Sequence, residues 1–138
     1  MDITKYPQYH LYLMTLHFFG IQELLLPPNC DKRCVNATLI NRAYYSAYLY
    51  CVLWLEDIKK FKPIPSWAFR HDEKKISKHK QIINALNNFG EVKMGSELSQ
   101  LFDLRHKADY EPLIDIPPKD VTDAIQHMEI IFNHLKFE

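Results

Sequence analysis

The stretch LRHKADYEP, residues 104–112, places four side chains that can bind ions or exchange protons within six positions: Arg105, His106, Asp109 and Tyr110. An arginine stays charged at physiological pH, and its planar guanidinium matches phosphate and carboxylate groups. A histidine exchanges protons near neutral pH, whereas an unperturbed tyrosine has a pKa of about 10. Such a set suits recognition of a phosphate, with acid–base chemistry as a further option.

Helical periodicity places two of these residues on an inward face. Arg105 lies four residues after Leu101, and Asp109 lies one turn further along the same face. Two interpretations stay open. In one, Arg105 and Asp109 form a structural pair and the Tyr110 hydroxyl bonds to the backbone. In the other, Arg105 meets a phosphate in a polar cleft between helices or subunits.

Length and composition predict one helical domain over residues 1–138. Apolar residues make up 47% of the 138 and charged residues 25%, as in ordinary globular proteins. Three glycines are too few for a fold of strands and turns, and eight Phe and eight Tyr suit thick helical packing. The N-terminus lacks the features of a signal peptide, and the longest apolar run, 43–55, is too short to span a bilayer. We therefore expect a cytoplasmic protein without membrane contact.

Apolar residues recur at steps of three and four in five segments. They predict helices over about 7–26, 33–60 and 72–89, a fourth from Gly95 with Ser96 as its N-cap, and a last helix from Pro117-Pro118 onward. Gly90 is the predicted stop of the third helix. This pattern is typical of an all-α, four- to five-helix up-down bundle.

Three finer predictions follow from the same periodicity. The predicted inward stripes are Leu11, Met14, Phe18, Ile21 and Leu25 in the first helix and Val121, Ile125, Met128, Phe132 and Leu135 in the last. Asp103 and Lys107, four residues apart on another face, predict an ordinary surface ion pair. The second helix is apolar nearly all round in its middle, so neighbours or a second subunit must cover it, and we expect a homodimer.

The net charge is zero, but its distribution is uneven. The basic segment 59–80 holds eight of the seventeen Lys and Arg residues against only Asp72 and Glu73, which gives it a charge of +6. Such a segment attracts a polyanion, or it is a solvated, lysine-rich loop. An aromatic side chain between cations can stack on exposed bases, or it can cap the bundle core beneath a proline-bent loop. The candidate RNA-binding residues are Lys74, Lys75, Lys78, Lys80, Arg70 and Trp67.

The three cysteines offer little metal chemistry. Cys30 and Cys34 have the spacing of half a zinc site, but no further ligands follow at a recognisable distance. Reduced, partly buried thiols are the better interpretation. We expect neither a metal nor another cofactor.

Three stretches, in order, resemble the HEPN superfamily: NRAYYSAYLYCVLWL (41–55), SKHKQIINALN (77–87) and GSELSQLFDLRHKADYEP (95–112). They are similar in particular to its small prokaryotic stand-alone branch, which has an R-A-Y-Y helix and a later L-x-x-x-R-x-x-A-D-Y motif. The resemblance covers most of the chain from residue 39 onward. It implies a four- or five-helix bundle that pairs as a two-fold dimer.

The resemblance also implies roles for individual residues. Active HEPN ribonucleases carry an arginine and, four to six residues later, a histidine, and two copies form a metal-independent RNA-cleaving site across the dimer. Arg105 takes the arginine position here, and Tyr110 stands at the histidine position. His79 matches a histidine that recurs in this branch, although a histidine among lysines is also typical of a solvated surface. The candidate catalytic residues are Arg105, His106, Asp109, Tyr110 and His79.

The implied function is that of a toxin or phage-defence protein, either a metal-independent endoribonuclease or a degenerate relative of one. Family members are often paired with a minimal nucleotidyltransferase that acts as antitoxin, sometimes by modifying a tyrosine near the motif; Tyr110 is the candidate acceptor here. Two alternatives stay open. The chain is a non-catalytic module that holds RNA or a nucleotide or serves as a scaffold for a partner protein, or it is a helical assembly subunit whose charged helix end is purely structural.

Overall fold

The computed structural model describes residues 2–71 and 74–137, and within them it shows five α-helices and no β-strand. The helices are α1 (Pro7–Gly20), α2 (Lys32–Lys59), α3 (Lys78–Asn88), α4 (Val92–Tyr110) and α5 (Pro118–His134). Short 3₁₀ turns occur at Ile3–Lys5, Gln22–Leu24 and Ser66–Ala68. The prediction of an all-α bundle is confirmed, and the bounds of α2 agree with the predicted helix to within one residue at each end.

α2 is the central helix and packs against the other four. Its inward positions are inaccessible to solvent, including Leu39, Ile40, Ala43, Ala47, Cys51 and Leu55. Neighbours in the same chain therefore cover most of the helix that the sequence marks as apolar on all sides. Among the apolar residues of 43–55, only Leu49 is more than a third exposed, at 38%. More apolar surface is exposed on α1, at Leu13 and Met14.

α5 has the inward stripe that the sequence predicts, because all five of its stripe residues are buried. The predicted stripe of the first helix is observed only in part, because Phe18 and Leu25 pack against the core but the other positions depart from it. Met14 is half exposed, whereas Thr15 is buried and Tyr12 stacks on Phe132 with ring centroids 4.2 Å apart. α1 also ends at Gly20 rather than at Leu26, because Ile21 leaves the helical conformation at φ −114° and ψ 21°. A 3₁₀ turn follows in place of the last predicted helical turns.

The predicted start of α3, near residue 72, is wrong. Asp72 and Glu73 lie outside the described residues, but 74–77 are not helical and α3 begins at Lys78. The Ser77 hydroxyl accepts a hydrogen bond from the Lys80 amide at 3.3 Å, which caps the helix. Ile76, which lies within the predicted range 72–89, precedes α3 and is 39% exposed.

The predicted start of α4 at Gly95 is also wrong, because α4 begins at Val92. Gly90 makes the turn from α3 in a left-handed conformation, at φ +86°, as its predicted role as a helix stop requires. Gly95 is instead an interior residue at which α4 approaches α3 closely. A Cβ atom there would lie 2.2 Å from the Asn87 side-chain oxygen. Ser96 therefore does not cap α4.

Arg33 of α2 holds the C-terminal end of α4 in place. Its Nε donates to the Ile114 carbonyl at 2.8 Å, and its Nη2 donates to the carbonyls of Glu111 at 2.8 Å and Ala108 at 3.3 Å. The last carbonyls of a helix have no donors within the helix, so a guanidinium that reaches those of Ala108 and of the C-cap Glu111 stabilises the terminus. The same turns of α4 carry the charged residues of the LRHKADYEP stretch.

We expect Arg33→Met to lower the free energy of unfolding by about 1–3 kcal/mol, because it removes a charged donor from three carbonyl groups, and the bond to Ala108 is partly buried. Lys32→Met is the matched control. The neighbouring Lys32 forms only an exposed ion pair with Glu23, at 2.8 Å, and its loss should cost less than about 1 kcal/mol. Urea denaturation measures both changes. Equal losses would show that Arg33 adds nothing beyond a surface charge.

Candidate functional site

Arg105 lies in the last turns of α4 with its side chain 13% exposed. Its Nη2 donates to the Tyr45 hydroxyl at 3.0 Å and, more weakly, to the Tyr110 hydroxyl at 3.4 Å. Its Nε is 2.9 Å from Oδ2 of Asp109, but the N–H is not directed at that oxygen. This contact is therefore an ion pair, and Nε has no hydrogen-bond acceptor among the described residues. We call Asn41, Tyr45, Arg105, Asp109 and Tyr110 the Arg105 cluster.

α2 supplies the other half of the Arg105 cluster. Asn41 Nδ2 donates to Oδ2 of Asp109 at 3.0 Å, so one carboxylate oxygen meets both helices. A guanidinium cannot lose its charge in a protein, so a largely buried one requires such partners. The Arg105–Asp109 pair of the structural interpretation is thus present. The Tyr110 hydroxyl, in contrast, meets Arg105 rather than a backbone group.

Three aromatic rings surround the Arg105 guanidinium. Its central carbon lies 5.3 Å from the ring centroid of Tyr45, 5.2 Å from that of Tyr110 and 5.9 Å from that of Tyr44. At these distances the electron-rich ring faces attract the cation, more strongly where water is excluded. The charge of Arg105 is therefore compensated by ring faces and hydroxyl groups as well as by Asp109.

His79, at the start of α3, lies beside the Arg105 cluster and makes a short hydrogen bond between its Nδ1 and the Tyr44 hydroxyl. Its ring packs 4.6 Å from that of Tyr48 and 5.7 Å from that of Phe102, centroid to centroid. The interpretation of His79 as a solvated surface residue is wrong. Burial lowers the pKa of His79 below its usual value of 6.5, and the charge of Arg105 lowers it further. His79 is therefore neutral at pH 7.

Burial raises the pKa of the Tyr44 hydroxyl above its usual value of 10. Tyr44 and His79 accordingly meet as a phenol and a neutral imidazole. The tautomer of His79 decides which of the two donates the hydrogen bond between them. With Nδ1 of His79 engaged, Nε2 is the ring nitrogen left for a ligand.

The sequence pattern does not predict Asn41, Tyr44 and Tyr45 as site residues. Adjacent tyrosines on a helix are most simply interpreted as core, and Tyr44 is indeed fully buried. The available signal was the four-residue step from Asn41 to Tyr45, which places two polar groups on one face of α2. This spacing alone does not predict which helix Asn41 and Tyr45 face.

His106 and Tyr110 occupy the solvent side of the Arg105 cluster. Tyr110 is 60% exposed, and the exposed His106 ring lies 5.0 Å from the Tyr110 ring, centroid to centroid. His106 thus reaches Arg105 only through Tyr110. Of the two candidate histidines, His79 is half-buried and bonds to Tyr44, whereas His106 is exposed beside Tyr110.

Pairs between helices replace the predicted pair within α4. Lys107 donates to Asp120 of α5 at 2.8 Å and not to Asp103, so the predicted Asp103–Lys107 pair is wrong. Two histidines of α5 also meet acidic residues at the start of α4. His127 contacts Glu97 through a short hydrogen bond, and His134 contacts Glu91 at 3.0 Å. These contacts join α4 to α5 and lie outside the Arg105 cluster.

A cleft of about 340 Å³ opens beside His79, lined by Ser77, His79, Lys80, Ile83, Asn84, Ser99, Phe102 and Asp103. It connects the start of α3, where the basic segment 59–80 ends, with the α4 face that carries Phe102. Lys74, Lys75, Lys78, Lys80 and Arg70 are all exposed. Trp67 is 84% exposed, so the interpretation of Trp67 as a cap on the bundle core is wrong, although Phe69 is half-buried.

Metal-ligand residues do not gather in the part of the chain that the structure describes, where no three His, Cys, Asp or Glu side chains form a group that could hold an ion. Cys30 and Cys34 are free thiols, half-buried and exposed respectively, and Cys51 is a buried free thiol.

The comparisons with known proteins return no relative. No protein family, curated protein or solved structure matches this chain. Within residues 2–71 and 74–137, no helix combines the length and apolar character needed to cross a bilayer.

The buried position of His79 predicts a pH dependence of stability. Because its pKa in the folded state lies below the unfolded value of 6.5, the unfolded chain binds the proton first as the pH falls. His79 therefore leaves stability unaffected above about pH 7.5 and lowers it progressively below about pH 6.5. His79→Gln does not titrate, so its melting temperature should fall less than that of the wild type between pH 7.5 and 5.5. If the melting temperatures of the wild type and of His79→Gln fall by the same amount over this pH range, His79 is not a buried, neutral group.

Proposed function

We propose that this chain is a HEPN-type protein of the toxin–antitoxin or phage-defence class, a homodimer that binds RNA at the Arg105 cluster and cleaves it there without a metal. One observation carries the proposal. Arg105 of α4 and His79 of α3 converge on the adjacent Tyr44 and Tyr45 of α2, with Lys80 lining the cleft beside them. A fixed cation, a neutral imidazole linked to it through two adjacent tyrosines, and a further cation in the neighbouring cleft suit a phosphodiester.

The phosphate takes the place of the Tyr110 hydroxyl in this proposal. That hydroxyl is the more distant of the two acceptors at Nη2, and Tyr110 is the more exposed of the two tyrosines. A phosphate that displaces it gains charge-assisted hydrogen bonds from Arg105, which are stronger than bonds to a neutral hydroxyl. Asp109 is then the competitor, because its carboxylate already neutralises the guanidinium.

Cleavage follows if the 2′-hydroxyl of the bound RNA lies against His79. In the tautomer whose Nδ1–H donates to the Tyr44 oxygen, Nε2 of His79 is unprotonated and accepts the 2′-hydroxyl proton, the 2′-oxygen attacks the phosphorus, and the bond to the 5′-oxygen breaks. Arg105 stabilises the charge that develops on the phosphate. The leaving oxygen takes its proton from the displaced Tyr110 hydroxyl or from water. Since His79 is neutral at pH 7, it is ready to act as a base.

A partner protein fits the same site. Tyr110 is 60% exposed at the end of α4, so its hydroxyl is within reach of a minimal nucleotidyltransferase acting as antitoxin. A nucleotidyl group on this hydroxyl would place a phosphate beside Arg105 and block the RNA. Arg105 would thus contact a phosphate in both states, that of the RNA in the active protein and that of the nucleotidyl group in the silenced one.

A purely structural role is the second candidate, and the enclosure of Arg105 favours it. Three tyrosine rings and a carboxylate already compensate the charge, so the Arg105 cluster also makes sense as a fastener between α2 and α4. The two functions differ in what Asp109 does. In the structural role Asp109 supports the fold alone, and in the RNA-binding role it also competes with the ligand.

Paired variants of the ion pair separate these roles. Arg105→Ala should weaken RNA binding, or slow RNA cleavage, by about ten- to a hundredfold, whereas Asp109→Asn should tighten binding several-fold because a competing charge is gone. Each should lower the free energy of unfolding by about 1–3 kcal/mol. Fluorescence anisotropy with a single-stranded RNA measures the affinity, and gel assays measure cleavage.

Lys119→Ala is the control for loss of one positive charge, because Lys119 forms an exposed pair with Asp123 on α5. Arg105→Lys, which keeps the charge without the planar donors, serves if the alanine variant does not fold. Loss of stability in both ion-pair variants, without any change in RNA affinity or cleavage, would leave the structural role as the answer.

The homodimer is testable by itself. α1 exposes Leu13 and Met14, and Met14 and Leu49 of α2 line a shallow, largely apolar groove between these helices. We expect sedimentation equilibrium at micromolar concentrations to give twice the chain mass, and Met14→Lys to shift the population toward the monomer by interrupting apolar contact. A wild-type chain that sediments as a monomer would contradict the dimer.

A further inference from the structure

The Gln81 side chain joins two points of the connection between α2 and α3. Its Oε1 accepts the Ile64 amide proton at 2.7 Å, and its Nε2 donates to the carbonyls of Ile64 and Ile76, each at 2.9 Å. The amide thereby uses its acceptor and both of its donors on two distant points of the backbone. Gln81 lies one turn into α3, so a regular helix fixes its position.

The hydrogen bonds of Gln81 bring Ile64 and Ile76 together at the base of a loop, and the described residues of this loop, 65–71 and 74–75, form what we call the arm. Trp67 stands on the 3₁₀ turn Ser66–Ala68 in the arm and is 84% exposed. Trp54, in contrast, is 5% exposed and packs in the core. An exposed indole leaves a large apolar surface in contact with water. Such exposure is typical of a side chain that a ligand covers.

The arm adjoins the cleft beside His79. Ile76 ends the loop, and the next residue, Ser77, lines the cleft together with Lys80. An RNA strand that is held at the Arg105 cluster and runs through that cleft would continue over the start of α3 toward the arm. Lys74 and Lys75 of the arm are exposed and carry the charge that such a strand requires. An exposed tryptophan in the same loop can bind unpaired bases by stacking on them.

We infer that Gln81 is a positioning residue, which holds the arm so that Trp67 stacks on an unpaired base of the RNA bound in the cleft. The inference rests on the proposed RNA binding and adds to it a preference for single strands. Without the anchor, Ile64 and Ile76 would lose their link to α3, and ordering the arm on binding would cost affinity. The three hydrogen bonds of Gln81 fix Ile64 and Ile76 before RNA binds, so less conformational entropy is lost on binding.

A double-mutant cycle tests the inference. Gln81→Met removes all three hydrogen bonds at similar side-chain size, and Gln100→Met is its matched control, because Gln100 bonds only within its own helix, to Ser96. Trp67→Ala is combined with each. The probe is a short fluorescein-labelled oligouridine, and the measured quantity is its dissociation constant for the full chain.

Trp67→Ala should weaken oligouridine binding by about tenfold in the wild type and in Gln100→Met, as the loss of one stacked base predicts. In Gln81→Met the same change should weaken binding by less than about twofold, because an unanchored Trp67 contributes little and the two effects are not additive. Trypsin should also cut Gln81→Met after Lys74 or Lys75 about tenfold faster than the wild type, because the anchored loop opens more often. Gln81→Ala replaces the methionine variant if that variant does not fold.

Each failure has its own meaning. An equal effect of Trp67→Ala in both backgrounds, or an unchanged rate of tryptic cleavage, overturns the positioning role of Gln81 and leaves the proposed RNA binding intact. If the wild-type chain does not bind oligouridine or a folded RNA, the proposed function falls and the inference falls with it. Binding to a duplex alone would overturn the stacking of Trp67 while it supports the Arg105 cluster as the RNA site.

Discussion

A charge that cannot be switched off governs the organisation of this protein. Arg105 is largely buried, and deprotonation is not available to a guanidinium, so the surrounding helices must supply acceptors and ring faces at fixed places. This requirement accounts for the polar and aromatic face of α2 at Asn41 and Tyr45. It also accounts for the position of Asp109 at the rim. An apolar residue at 105 would remove the need for every one of these contacts.

The positions of the side chains in the Arg105 cluster therefore depend on how α4 packs on α2. One arginine of α2, Arg33, binds the carbonyls at the end of α4, and one arginine of α4, Arg105, binds a hydroxyl of α2. The two side chains cross between the same pair of helices from opposite directions. Each uses donors that an arginine presents in a rigid plane, so together they resist both sliding and rotation of α4.

Features set by neighbours in the sequence could be predicted, and features set by neighbours in space could not. The stripe of α5 needs only its own periodicity, and the Arg105–Asp109 pair needs only a four-residue step. Gly95, in contrast, resembles a helix start until Asn87 of another helix is seen beside it. Lys107 can pair with Asp103 or with Asp120, and it pairs with Asp120 because α5 packs against α4. The environment of His79 is likewise composed of rings from α2 and α4.

The position of the Gln81 anchor has a consequence for how this protein diverges. One side chain in α3 holds both Ile64 and Ile76, so the two ends of this loop stay fixed on the bundle. The entropy of closing a loop grows only with the logarithm of its length, so an insertion between these points should cost the fold little. Changes in the length or sequence of this loop are therefore expected to alter the surface beside the cleft while the bundle is retained.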